Sequence, residues 1–124
     1  MKPMHQLSNT DKAALLFDLF PSEIPLLLDN IKMHCNYIIA QQETLRKDWG
    51  QSFFSFDYWL KLATDTKEII ESNGAKLAKR RTWFADQLFD MPVASFVIDT
   101  TVKYRDRHKN NWKFPALIEL LFNL

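Results

Sequence analysis

The chain has 124 residues and a net charge of +1, and 47% of its residues are hydrophobic. This length suits one domain, and the apolar content excludes a chain that is disordered throughout. Its two glycines, Gly50 and Gly74, are too few for the turns of an all-β fold or for a glycine-rich phosphate-binding loop. We expect residues 1–124 to form one all-α domain, with residues 1–7 as a loose lead-in.

The sequence also bears on the compartment. Cys35 is the single cysteine, so an intrachain disulfide is excluded and a reducing compartment is favoured. The first residues lack the continuous apolar core of a signal peptide, and no apolar run approaches the roughly 20 residues that span a bilayer. We therefore predict a soluble, cytoplasmic protein without a membrane partner.

The first 49 residues predict two helices. Ser8 and Asp11 stand at capping-box spacing at the start of the first helix, which Pro21 ends. Residues 21–49 contain no glycine and predict one helix of about 26 residues, roughly 39 Å long. A helix of that length would cross a small domain and organise the elements around it.

Two apolar stripes follow nearly opposite sides of this long helix. The first is a seam at alternating spacings of three and four residues, with one polar member: Leu28, Ile31, Cys35, Ile38, Gln42, Leu45 and Trp49. The second consists of Leu26, Met33, Tyr37 and Ala40. A two-faced helix is typical of the centre of a bundle, where other helices cover both sides. Alternatively, the seam is a contact for a second copy of the chain, with Gln42 fixing the register.

Two further helices are predicted between residues 55 and 89. Ser55 or Asp57 caps the first of them, which reaches Ser72 and stops at Asn73-Gly74 because glycine readily takes the left-handed conformation. The next runs from about residue 75. Arg81 falls in its apolar arc, so either the stem of this side chain extends to water or the guanidinium is buried against an acid from another helix. The candidate acids are Asp18, Asp57 and Glu71.

The last part of the chain fits more than one type of secondary structure. Residues 93–107 fit a helix as well as strand alternation, and we choose the helix because a lone strand would lack a pairing partner. A strongly apolar helix from about residue 115 is expected to be buried in its own core or against a partner. The predicted fold is an all-α, single compact bundle of five or six helices with a long central second helix.

No residue pattern points to catalysis. The histidines and the cysteine, which are His5, His34, Cys35 and His108, do not stand at metal-ligand spacing. Cys35 lies on the apolar seam, which favours an inert core thiol over a nucleophile. We predict no metal site, no cofactor and no enzymatic activity.

The basic residues offer one candidate site. Residues 76–113 contain nine basic and four acidic residues, a net charge of +5. A cationic surface with an aromatic side chain can bind phosphates and stack a base, and the residues for such a nucleic-acid surface are Lys76, Lys79, Arg80 and Trp83, with Arg105, Arg107 and Lys109. Alternatively, Trp83 packs beneath a neighbour with Arg80 over its ring. The Gly74 region also resembles a helix-turn-helix only weakly, because Arg80 would face inward.

Three stretches carry a resemblance to known sequences. They are NTDKAALLFDLFP at residues 9–21, WFADQLFD at residues 83–90 and KFPALIELLFN at residues 113–123. These resemble small uncharacterised proteins of conjugative and other mobile elements in gut Bacteroidetes. The resemblance implies a cytoplasmic bacterial accessory protein and carries over no activity or binding residue.

Together these patterns predict a non-catalytic protein that acts through protein–protein interaction or assembly, with a protein partner or a second copy of itself. The expected oligomer contact is either the seam at Cys35 and Gln42 or the apolar end of the chain at Leu121 and Leu124. The alternative is a nucleic-acid-binding accessory protein that uses the basic residues around Trp83.

Overall fold

The computed structural model describes residues 7–49, 55–90 and 92–100, and over these residues the regular structure is entirely helical. In chain order the elements are α1 (Asn9–Leu19), a 3-10 turn (Pro21–Glu23), α2 (Ile24–Ala40), α3 (Gln42–Asp48), α4 (Phe56–Lys79), α5 (Arg81–Phe89) and α6 (residues 94–100). The prediction of an all-α bundle of five or six helices is confirmed. None of the helices in this described part of the chain has both the length and the apolar character of a membrane span.

The bundle is built from two helix pairs. α2 packs along α4, and α1 packs along α5, which follows α4 directly in the chain. Apolar side chains at spacings of three and four residues place one stripe of each helix in a shared core. The largest fully buried side chains are Phe84, Phe89, Phe96, Leu16, Ile24, Leu27, Ile31, Leu77 and Leu88.

Serine caps begin two of the helices. Ser8 Oγ accepts a hydrogen bond from the Asp11 N–H at 3.1 Å, and Ser55 Oγ accepts one from the Tyr58 N–H at 3.2 Å. Each hydroxyl satisfies a backbone donor of the first turn that has no partner within the helix. The caps predicted at Ser8 and Ser55 are therefore confirmed.

The predicted long second helix is two helices. Gln41, with φ −102° and ψ 20°, ends α2 and begins α3. The Gln42 side-chain amide donates to the Ile39 carbonyl at 2.9 Å, which occupies one of the carbonyls that a helix end leaves without a partner. Gln42, the polar member of the predicted seam, therefore stabilises a break within its own chain.

The predicted stop at Asn73-Gly74 is a kink rather than an end. Asn73 has non-helical angles, φ −130° and ψ 15°, but α4 continues through it to Lys79. Leu77, which lies beyond the kink, is fully buried, so continuing the helix keeps an apolar side chain in the core. The chain turns instead at extended Arg80, and a helix-turn-helix with its turn at Gly74 does not form.

The ambiguous stretch after Pro92 is helical as far as it is described. Residues 94–100 form α6, so the choice of a helix over a strand is confirmed up to residue 100. Phe96 is fully buried, and its ring lies 5.2 Å from the Trp59 ring of α4 and 5.8 Å from the His34 ring of α2, measured between centroids. α6 is thereby anchored on the α2–α4 pair. Predictions for residues 1–6 and 101–124, including the helix from about residue 115, lie outside the described residues.

Candidate interaction surface

One face of α2 carries large apolar side chains that are exposed. Leu26, Met33 and Tyr37 are exposed to 51%, 61% and 56%, and we call these three residues the α2 stripe. Their spacing of seven and four residues places them along one line of the helix. The sequence predicted that a second apolar face of this helix would pack against another element, but no element among the described residues covers this face.

The α2 stripe carries no charge of its own. The acidic and basic side chains of α2 are Asp29, which flanks the stripe, and Lys32. Lys32 Nζ lies 3.9 Å from a Glu71 carboxylate oxygen, so it faces α4 on the side away from the stripe. The Asn30 side chain donates to the Leu26 carbonyl at 3.0 Å and so bonds to its own helix. The stripe is therefore an uncharged apolar line along α2.

The opposite face of α2 is filled by the chain itself. Leu28, Ile31, Cys35 and Ile38, which form the first half of the predicted seam, are all buried in the core beside α4. Cys35 is fully buried, and its removal from water raises the pKa of the thiol to about 12. Its thiolate is correspondingly scarce at neutral pH. Cys35 therefore presents no surface to a second copy, whereas Gln42 is only half-buried and its predicted contact stays a prediction. Leu121 and Leu124 lie outside the described residues.

The basic residues near Trp83 are brought together at the junction of α4 and α5. Lys76, Lys79 and Arg80 are exposed, and Trp83 is half-buried against the core. The Lys76 ammonium lies 4.8 Å from the centre of the Trp83 ring, in the position that the sequence assigned to Arg80. A base that stacked on the face of the ring next to Lys76 would have to displace this side chain. Arg105, Arg107 and Lys109, the remaining residues of this predicted surface, lie outside the described part.

Arg81 pairs with an acid at the surface. Its Nε lies 3.0 Å from Asp18 Oδ2, and both side chains are about half exposed, so the ion pair joins α5 to α1 in contact with solvent. Such pairs contribute at most about 1 kcal/mol. Of the other acids considered, Asp57 pairs with Arg46 of α3, and Glu71 lies near Lys32 and Lys67.

A groove that the sequence did not predict lies between the kinked part of α4 and the turn before α6. Its volume is about 400 Å³, and it is lined by Asp65, Glu68, Ile69, Ser72, Asn73, Pro92 and Val93. Asp65 already pairs with Lys61 at 2.7 Å. The groove depends on the kink at Asn73 and on the path of the chain after α5, and sequence spacing reveals neither.

Neither a search for metal ligands nor a comparison with known proteins assigns a function to a residue of this chain. Among the described residues, no group of three or more histidine, cysteine or acidic side chains is placed to hold a metal ion. No family model matches the sequence, and no curated protein or solved structure matches it either. The function is therefore inferred from the chain's own surfaces.

Proposed function

We propose that this protein acts without catalysis, as an interaction or assembly protein, and that its contact surface is the α2 stripe. The observation that carries the proposal is the exposure of three large apolar side chains in a line, on a helix whose opposite face is buried in the core. Contiguous exposed apolar surface is typical of sites that bind another protein. Methionine and tyrosine suit such contacts, because one adapts its shape and the other adds a large rigid ring.

Photo-cross-linking in cells tests this proposal. Replacement of Tyr37 by a benzophenone amino acid is expected to give a discrete cross-linked polypeptide on illumination, because this side chain lies at the contact. The matched control places the same amino acid at Tyr58, an exposed tyrosine on α4. A cross-linked polypeptide obtained from position 37 and not from position 58 supports the proposal, whether mass spectrometry identifies the same chain or another one. Equal yields from both positions would contradict it.

The second candidate function is binding of nucleic acid by the basic surface. The observation in its favour is the grouping of three exposed cations, Lys76, Lys79 and Arg80, at the α4–α5 junction. Phosphate contacts strengthen steeply as salt is removed, so a fluorescence titration with single-stranded DNA and RNA at low salt tests it. Replacement of all three cations by glutamine is expected to reduce any binding. No binding at low salt would contradict this candidate and leave the interaction proposal intact.

The resemblance to accessory proteins of mobile elements stays a prediction. An interaction protein without catalytic machinery is compatible with such a role. Its cytoplasmic location also stays a prediction, and fractionation of cells that produce the full chain would test it.

A further inference from the structure

We propose that the groove between α4 and the turn before α6 binds a small organic monocation, an ammonium group carried on a short aliphatic chain. The volume of the groove, about 400 Å³, lies within the roughly 300–1,000 Å³ that is usual for small-molecule sites. None of the α2 stripe residues lines the groove, so its role is independent of the proposed interaction function.

Two carboxylates form the charged wall of the groove. Asp65 and Glu68 lie three residues apart on α4, and Ile69 and Ser72 follow them by four residues each, which places all four side chains on one face of the helix. No lysine, arginine or histidine is among the described residues that line the groove. An anion would therefore meet two like charges there, whereas a cation would be attracted.

Glu68 is the carboxylate that remains for a ligand. Among the residues that the structure describes, Glu68 makes no ion pair, and the residues three and four positions away from it on α4 are acidic or uncharged. The other acids of α4 each have a basic partner, and they are Asp57, Asp65 and Glu71. Because Lys61 offsets the charge of Asp65, the wall has one negative charge to be matched, which favours a ligand with a single positive charge.

The rest of the lining suits the apolar part of such a ligand. Val93 is largely buried, Ile69 is half-buried against the core, and Pro92 adds a third apolar side chain. The Asn73 amide donates to the Ile69 carbonyl at 3.3 Å, so it is turned toward the backbone of the kink. An aliphatic chain can lie against the apolar side chains while its charged end pairs with Glu68, as the stem and head of a lysine do at protein surfaces.

The exposure of Glu68 sets the expected strength of binding. Water screens an ion pair at an exposed carboxylate, so the charge is expected to raise the affinity by no more than about fivefold. The apolar contacts of a short chain add a modest amount. The dissociation constant is therefore expected on the order of 1–10 mM.

A titration followed by nuclear magnetic resonance of the isotope-labelled full chain tests the site. Addition of n-pentylamine at constant pH and ionic strength is expected to shift the backbone amide signals of Ile69, Ser72 and Val93 with one common dissociation constant. Pentan-1-ol, which lacks the charge, is expected to bind about three- to fivefold more weakly, and pentanoate, an anion, is expected not to bind. Absence of these shifts with pentylamine, or equal binding of pentylamine and pentanol, would overturn the proposal.

Two variants show whether Glu68 and the groove hold the ligand. Glu68→Gln is expected to weaken the binding of pentylamine by about three- to fivefold and to leave that of pentanol unchanged. The matched control is Glu71→Gln, an exposed acid of the same helix that does not line the groove, and it is expected to change neither. Equal affinity of both variants for pentylamine contradicts the role of Glu68. Both positions are exposed, and the dispersion of the amide signals verifies that each variant folds.

Ser72→Leu tests the location independently of charge. Ser72 is exposed on α4, and a leucine there is expected to occupy part of the groove and to reduce the binding of pentylamine and pentanol alike. Unchanged binding of both compounds would place them outside the groove and overturn the proposed site.

A second ligand separates the two natural sources of an alkyl ammonium group. The N-acetyl, N-methylamide derivative of lysine carries the same ammonium and chain on a peptide unit. Tighter binding of this compound than of pentylamine identifies the groove as a site for a lysine side chain of another protein, and weaker binding identifies a free amine as the ligand. If neither compound binds, the proposal is overturned.

Discussion

Replacing Phe84 with alanine is expected to lower the free energy of unfolding by about 3–5 kcal/mol. Phe84 of α5 is fully buried, and its ring centroid lies 5.7 Å from that of Phe17 in α1 and 5.3 Å from that of Phe89. Truncation removes the contacts of the ring and leaves a cavity where α1 meets α5. The cost is a large part of the roughly 5–15 kcal/mol by which domains of this kind are stable.

Urea denaturation followed by circular dichroism measures this loss. The matched control is Thr82→Ala on the same helix, which is exposed and is expected to change stability by less than about 0.5 kcal/mol. If Phe84→Ala costs less than about 1 kcal/mol, its ring does not fill the space between α1 and α5. A changed slope of the denaturation curve would show that the substitution altered the compactness of the denatured or native state or broke two-state unfolding.

Phe96→Ala is expected to cost a similar amount, about 3–5 kcal/mol, for a different reason. Its ring joins α6 to both helices of the α2–α4 pair through Trp59 and His34. Without the ring, α6 loses its main aromatic contact with the core. The Trp59 indole then gains water, so its fluorescence emission is expected to shift to longer wavelength in the folded state.

Two probes of the same urea titration separate a change in the packing around Phe96 from a loss of helix. Tryptophan fluorescence reports the environment of the core, and circular dichroism reports the helices. Ser95→Ala, an exposed neighbour in α6, is the control and is expected to be neutral or slightly stabilising because alanine favours helix. A Phe96→Ala protein as stable as the Ser95→Ala protein would contradict the packing of α6 on α2 and α4.

Features set by local chemistry were predictable from the sequence. Each serine cap, at Ser8 and Ser55, needs only a hydroxyl side chain just before the first turn of a helix, where it accepts from the N–H three residues later. A serine directly before an apolar helical pattern shows this in the sequence. The helical class follows from apolar residues at spacings of three and four, together with very few glycines. These signals act over a single turn, so distant parts of the chain seldom override them.

The helix ends that depend on tertiary contacts were not predictable. Gly74 suggested a stop because glycine readily takes the left-handed conformation that ends many helices, and a glycine inside a helix also costs roughly 1 kcal/mol relative to alanine. Burial of a leucine side chain contributes about 1.5–3 kcal/mol, so the fully buried Leu77 outweighs that cost and carries α4 through the kink. The division of the long helix at Gln41 is likewise accompanied by a hydrogen bond, from Gln42 to Ile39, that the seam pattern did not suggest.

The sequence showed the apolar residues of the candidate surface but did not show that they are exposed. It placed apolar stripes on both sides of α2, but which stripe is covered depends on where α4 lies. The structure covers the side with Cys35 and exposes the side with Met33. Arg81 shows the same limit, because three acids were possible partners and only the path of α1 beside α5 selects Asp18.

The pairing of α1 with α5 has a consequence for synthesis of the protein. Sixty-one residues of chain, 20–80, separate the end of α1 at Leu19 from the start of α5 at Arg81. A ribosome adding about 5–20 residues per second needs roughly 3–12 seconds to cover that distance. During this interval the buried side of α1, with Ala13 and Leu16, has emerged before its partner helix exists. The nascent chain therefore passes through a stage in which the apolar side of α1 has no native partner helix to cover it.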